Sequence, residues 1–190
     1  MRIFLYVIIL VASVFANNLN VDLLYNMNFD EQASDITGFN QDEREFAVIG
    51  LENSTAFIDI TNPNQPFEVI RIAGGNSAWR DIKYWNRYIY ISTEASSDNG
   101  IQIVSVNDLD NPVLVNVIED FDTSHNIWID DEGFLYVLGT MTGCDIWIYS
   151  LADPVNPEQV GCWEGEYIHD IDVHNNLLYA SAINSSTIYI

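Results

Sequence analysis

A polar–polar–isoleucine tripeptide recurs four times along the 190-residue chain, as Ser34-Asp35-Ile36, Arg80-Asp81-Ile82, His125-Asn126-Ile127 and His169-Asp170-Ile171. Its middle residues stand 46, 45 and 44 positions apart. A second marker keeps the same period, because Pro66, Pro112 and Pro157 each end a turn rich in Asn, Asp and Pro. Two markers in one register set the architecture. A period of this length filled with short strands predicts the blades of a β-propeller, since a lone four-stranded blade leaves two apolar faces that only its neighbours can bury.

Within each repeat, apolar alternation broken by turn residues resolves into four strands. In the second repeat these are 81–85, 88–93, 101–106 and 113–118, with 107–112 as the last turn; in the third they are 126–129, 134–139, 145–150 and 158–162. No segment after residue 16 carries a helical period. The expected fold class is all-β, an arc of four-stranded antiparallel blades over 34–76, 77–122, 123–166 and 167–190. The fourth repeat reaches Ile190 in its third strand, so about three and a half blades are expected. A propeller of roughly 4 to 8 blades closes its ring, so the expectation is an open arc with an exposed apolar end, as in a truncated gene product lacking C-terminal blades.

Met1-Arg2 followed by the apolar run Ile3 to Phe15 has the layout of a secretory signal peptide over residues 1–16, with Val14-Phe15-Ala16 supplying the small residues at the cleavage site. The run is too short to span a bilayer, and no transmembrane segment is expected in the mature chain. The expected address is extracellular or cell-surface. Lys and Arg together number 6 against 28 Asp and Glu, a formal charge of -22. That field repels phosphate backbones, so nucleic acid is not an expected partner, whereas a protein, a glycan or an ion fits.

At the segments Ala33-Ser34-Asp35-Ile36, Glu45 to Gly50, Ala56 to Ile60, Trp79 to Lys83, Ser124 to Ile127 and His169-Asp170, the chain resembles the LVIVD-repeat proteins, and more closely the choice-of-anchor B family of secreted or surface-attached proteins. The resemblance implies a surface propeller held at the cell envelope. It implies no reaction.

The innermost strand of a propeller blade lines the channel, so residues repeated at its entry gather at one mouth. Asp35, Asp81, Asn126 and Asp170, preceded by Ser34, Arg80, His125 and His169, are therefore the candidate site. Their oxygens suit a hard cation such as Ca²⁺, and the histidines extend the choice to a transition metal. The competing reading is structural: short polar side chains accept hydrogen bonds from backbone N–H groups of the next blade, and Arg80 neutralises the carboxylates. Ile168 stands where a hydroxyl residue is expected before the His169-Asp170 pair. His125 and His169 with Asp81 or Asp170 also compose an acid/base set, the basis of an alternative hydrolase or lyase reading; a third reading is an inactive gene fragment. No Gly-x-Ser-x-Gly elbow, His-Glu-x-x-His or phosphate loop is present. Asp130-Asp131-Glu132-Gly133 reads as a solvated turn, and His174 as solvent exposed. Cys144 and Cys162 are the two cysteines of the chain. They lie at equal distances from the Asp153-Pro154 turn of the third blade's outer hairpin, and export predicts that they form a disulfide.

Overall fold

The computed structural model describes residues 21–95 and 100–190; the predicted signal peptide lies outside them. Those residues form fifteen strands in four antiparallel sheets and no helix. Blade 1 comprises β1 (Ala33–Gln41), β2 (Arg44–Leu51), β3 (Ser54–Asp59) and β4 (Phe67–Ala73). Blade 2 comprises β5 (Ile82–Trp85), β6 (Tyr88–Ile91), β7 (Ile101–Ser105) and β8 (Val113–Ile118). Blade 3 holds β9 (Asn126–Ile129), β10 (Phe134–Leu138), β11 (Ile146–Ser150) and β12 (Glu158–Trp163), and blade 4 holds β13 (Asp170–His174), β14 (Leu177–Ala182) and β15 (Thr187–Tyr189). Every sheet is an up-and-down meander in chain order. This is a four-bladed β-propeller arrangement.

Local chemistry fixes each blade. Val, Ile, Tyr, Phe and Trp crowd the strands, as a pleated, half-buried surface favours. In blades 1, 2 and 4 the first hairpin closes on two residues with positive φ: Asp42 and Glu43, Asn86 and Arg87, Asn175 and Asn176. Two positive φ angles in a two-residue loop give the turn whose twist matches that of the strands it joins. The three complete blades also carry a register shift at the same place between their third and fourth strands, at Phe57/Ile58, Ile103/Val104 and Ile148/Tyr149.

The core is divided by interface. Phe39, Phe46, Val48 and Phe57 of blade 1 pack on Ile82, Ile89, Ile91 and Val104 of blade 2. Tyr90, Ile101 and Ile103 of blade 2 meet Ile127, Leu135, Val137 and Tyr149 of blade 3. Leu138 and Ile146 of blade 3 meet Ile168, Ile171, Ala180 and Ala182. Ile168 is thus a core residue, fully buried, which accounts for the missing hydroxyl. Polar links reinforce the apolar ones: Tyr90 donates to the Pro154 carbonyl at 2.8 Å, Asn116 Nδ2 to the Val155 carbonyl at 2.7 Å, and Arg44 bridges Asp59 and Asp110 at 2.7 and 2.8 Å.

The remaining face of blade 1 is covered by residues with no place in the repeat. Met27 and Phe29, in an extended strap ahead of β1, pack on the cluster of Leu51, Ala56 and Ile58 with Ala47, Ile49 and Ile60. Glu31 pins the strap: its carboxylate accepts from the Asn53 N–H at 2.7 Å and the Ser54 hydroxyl at 3.1 Å and pairs with Arg71 at 2.9 Å. The backbone bond from Asn53 leads the contacts that hold the Glu31 carboxyl below its ordinary value. The inner strands meet in series, β1 with β5, β5 with β9 and β9 with β13. No comparable contact joins β13 to β1 among the described residues.

Cys144 and Cys162 form a disulfide, with Cα atoms 5.4 Å apart. The bridge forms, but not by the predicted facing register. Cys162 lies opposite Trp147, and Cys144 precedes β11. The turn centres on Pro154, one residue later than Asp153, and the shift at Ile148/Tyr149 adds one residue more, so Cys162 faces three residues beyond Cys144 and the bond runs diagonally from the loop that Thr140 holds by donating to the Cys144 carbonyl at 2.8 Å.

Candidate functional site

The start of each inner strand brings the repeated polar residues to one end of the channel, where each blade hands a hydrogen bond to the next. Asp35 Oδ2 accepts from the Ile82 N–H at 3.0 Å, and Asp81 Oδ2 accepts from the Ile127 N–H at 2.9 Å. Both isoleucines are fully buried, so these N–H groups have no water to turn to. Between blades 3 and 4 the link changes chemistry: Asn126 Nδ2 donates to Asp170 Oδ1 at 3.0 Å. Lys83 Nζ lies 2.5 Å from Asp81 Oδ1. Lys83 is therefore a cation at the carboxylates. Arg80 is 1% exposed and turns beneath them, donating from Nε to the Leu51 carbonyl at 2.8 Å and from its terminal nitrogen to the Gly75 carbonyl.

Burial, and then the facing Asp81 carboxyl, raise the Asp35 carboxyl above the ordinary aspartate value, with Lys83 opposing. A raised native value means the folded chain holds this proton more tightly than the unfolded one. Its contribution is full at low pH, is lost as pH rises through the folded value, and becomes a penalty at neutrality. Asn126 shows the remedy at the same repeat position. Asp35→Asn is expected to raise stability at pH 7 by about 1 kcal/mol, the usual worth of one hydrogen bond without its opposing charge. Urea midpoints near pH 7 and near pH 3 check this, with the advantage shrinking at the acid end; a lower midpoint at neutrality refutes it.

The two histidines meet. His125 Nε2 and His169 Nε2 are 2.9 Å apart, and Glu94 Oε1 lies 2.7 Å from His125 Nδ1. Backbone bonds from His125 N to the Leu138 carbonyl and from His169 N to the Ser181 carbonyl place both side chains at the same point of adjacent blades. Gly139, at φ +64°, makes the room: a Cβ there would lie 2.5 Å from His125 Cβ. Trp79, 56% exposed, leans over His125 with ring centroids 5.7 Å apart. Trp79, Asp35, Asp81, His125 and Asn126 line a pocket of about 200 Å³. The sequence reading missed Trp79, Lys83 and Glu94, which stand outside the repeated pair; the one available signal is that Trp79 occupies the position of Ser124 and Ile168.

Other sequence candidates fall elsewhere. Asp130 caps its own turn, accepting from the Glu132 and Phe134 N–H groups and the Tyr136 hydroxyl, and His174 is exposed. Among the described residues no three of His, Cys, Asp or Glu converge as metal ligands.

No family model and no curated protein matches the chain. Solved structures do. The chain is similar to the computationally designed Ika4 protein, with TM-score 0.63 and 10% identity over 90% of this chain and 97% of that one. It is also similar to a Lactobacillus plantarum protein, with TM-score 0.56 and 14% identity over 83% of this chain and 54% of that one, about half its length. An α-L-arabinofuranosidase from Clostridium thermocellum aligns at TM-score 0.41 and 15% identity over 78% of this chain and 62% of that one, too distant a likeness to bear on chemistry. The propeller fold is shared. At these identities the likeness shows the fold alone.

Proposed function

We propose that the chain is an exported, non-enzymatic propeller that binds a cationic protein segment at the channel mouth. The observation that carries this is Trp79: a large aromatic left 56% exposed at the rim of a pocket. A face of this kind attracts Lys or Arg side chains by cation–π contact, and a charge of -22 steers such partners towards it. The pocket's other polar groups are occupied. The Asp35 and Asp81 carboxyls hold backbone N–H groups, and the Ser34 hydroxyl lies within donating distance of the Gly50 and Arg80 carbonyls. Ser34, whose hydroxyl faces the Gly50 and Arg80 carbonyls, has no base beside it and is not placed as a nucleophile. The disulfide and the resemblance to choice-of-anchor B surface proteins support export, as does the layout of residues 1–16; no helix of the described residues is long and apolar enough to cross a membrane.

The test uses secreted protein and tryptophan fluorescence. Titration with a tetra-arginine peptide is expected to saturate, to weaken with salt and to lose about tenfold in affinity in Trp79→Ala, as loss of a central aromatic contact does. An unchanged affinity in that variant, or saturation by a neutral tetrasaccharide instead, overturns the cationic-partner reading. A secreted product that keeps Met1 overturns cleavage before Asn17, and retention of the chain inside the producing cell overturns the export reading.

A further inference from the structure

The oxygen ring is a poor cation site, because its carboxyls already serve backbone N–H groups. The histidine pair is different. We propose that His125 and His169 form an open transition-metal site that takes Cu²⁺ at the junction of blades 3 and 4. The proposal does not depend on the ligand reading above.

Spacing is the first argument. Two imidazole nitrogens bound cis at 90° on a metal with bonds of ~2.05 Å stand ~2.9 Å apart, and on a tetrahedral ion ~3.3 Å. His125 Nε2 and His169 Nε2 are 2.9 Å apart, with rings inclined at 48°. The pair therefore has the separation of neighbouring ligands in a tetragonal site, the geometry that Cu²⁺ and Ni²⁺ take with nitrogen and oxygen donors. Cu²⁺ heads the divalent affinity order.

Orientation is the second. Glu94 Oε1 lies 2.7 Å from His125 Nδ1, and in the neutral tautomer that donates to it the Nε2 lone pair is bare. A carboxylate behind an imidazole in this way fixes the tautomer and raises ligand basicity in metal sites. In that tautomer the bond between the facing nitrogens is donated by His169 Nε2–H. Binding requires His169 to move that proton from Nε2 to Nδ1. Both Nε2 atoms then offer lone pairs, and no proton is lost overall.

Placement is the third. The two imidazoles leave equivalent points of neighbouring sheets whose backbone bonds to Leu138 and Ser181 are formed without metal, so little ordering remains to oppose binding. His125 is only 15% exposed. With two protein ligands, the other coordination positions fall to water or to a bound partner.

Calorimetric titration of the oxidised chain with CuCl₂ is expected to show one site whose affinity falls at least tenfold in His125→Gln and in His169→Gln and is unchanged in His174→Gln. Glu94→Gln is expected to weaken it by about 10- to 100-fold. Electron paramagnetic resonance of the 1:1 complex should show coupling to two imidazole nitrogens, and Cu²⁺ should quench Trp79, which lies against His125. Thermal melts confirm that each variant folds. Folded His125→Gln and His169→Gln chains that keep parental Cu²⁺ affinity, or a spectrum with oxygen ligands alone, overturn the proposal.

Discussion

Reduction of the Cys144–Cys162 bond is expected to lower the stability of the folded chain by roughly 3 kcal/mol, the chain-entropy value for a loop of this size; the cysteines are 18 residues apart. For a domain of this length that is a fall of about 6–12 °C in Tm. The bond ties the loop before β11 to β12, so its loss frees the outer edge of blade 3 while the inner strands keep their packing on Leu135 and Val137. Cys144→Ala/Cys162→Ala should show the same loss without reductant and no further loss with it. Equal urea midpoints for the oxidised and reduced chains would refute the assignment.

The second large effect is expected at Asp81. Replacing it with Ala strands the buried Ile127 N–H and removes the partner of Lys83. An unsatisfied buried donor that had a charged acceptor costs about 2–3 kcal/mol. The partly exposed ion pair adds little, and relief of the facing Asp35 carboxyl returns a part. The net expectation is a loss of about 2 kcal/mol. Asp81→Asn, which keeps an acceptor, should lose about half as much. Asn126→Ala should lose less than either, because its bond to Asp170 is exposed. Denaturant unfolding of the three variants gives the order, and an Asp81→Ala chain as stable as the parent would remove the inter-blade role.

Much of this architecture is legible in the sequence because the repeat is a steric requirement. Ile36, Ile82, Ile127 and Ile171 mark the inner strands, Pro66, Pro112 and Pro157 mark the last turns, and strands β5 to β12 fall within one or two residues of the alternation that predicts them. The disulfide was legible from composition and the expected address, whereas the facing register was not, since neither the exact centre of the turn nor the register shift beside it leaves a trace in the hairpin's sequence. The strap at residues 21–32 was invisible because it repeats nothing. The partners at the mouth were invisible for a related reason. A period places Asp35, Asp81, Asn126 and Asp170 at one end of the channel, but Glu94 behind His125 and Lys83 beside Asp81 are single departures from the repeat, and only three-dimensional proximity joins them.

The strap also gives the stack a direction. In linear assemblies of repeats, each unit contacts only its neighbours, and an end is finished by something that is not itself a stackable unit. Met27, Phe29 and Glu31 finish the blade 1 end in this manner. A sheet inserted ahead of blade 1 would therefore have to displace the strap, and with it the cover over Leu51, Ala56 and Ile58.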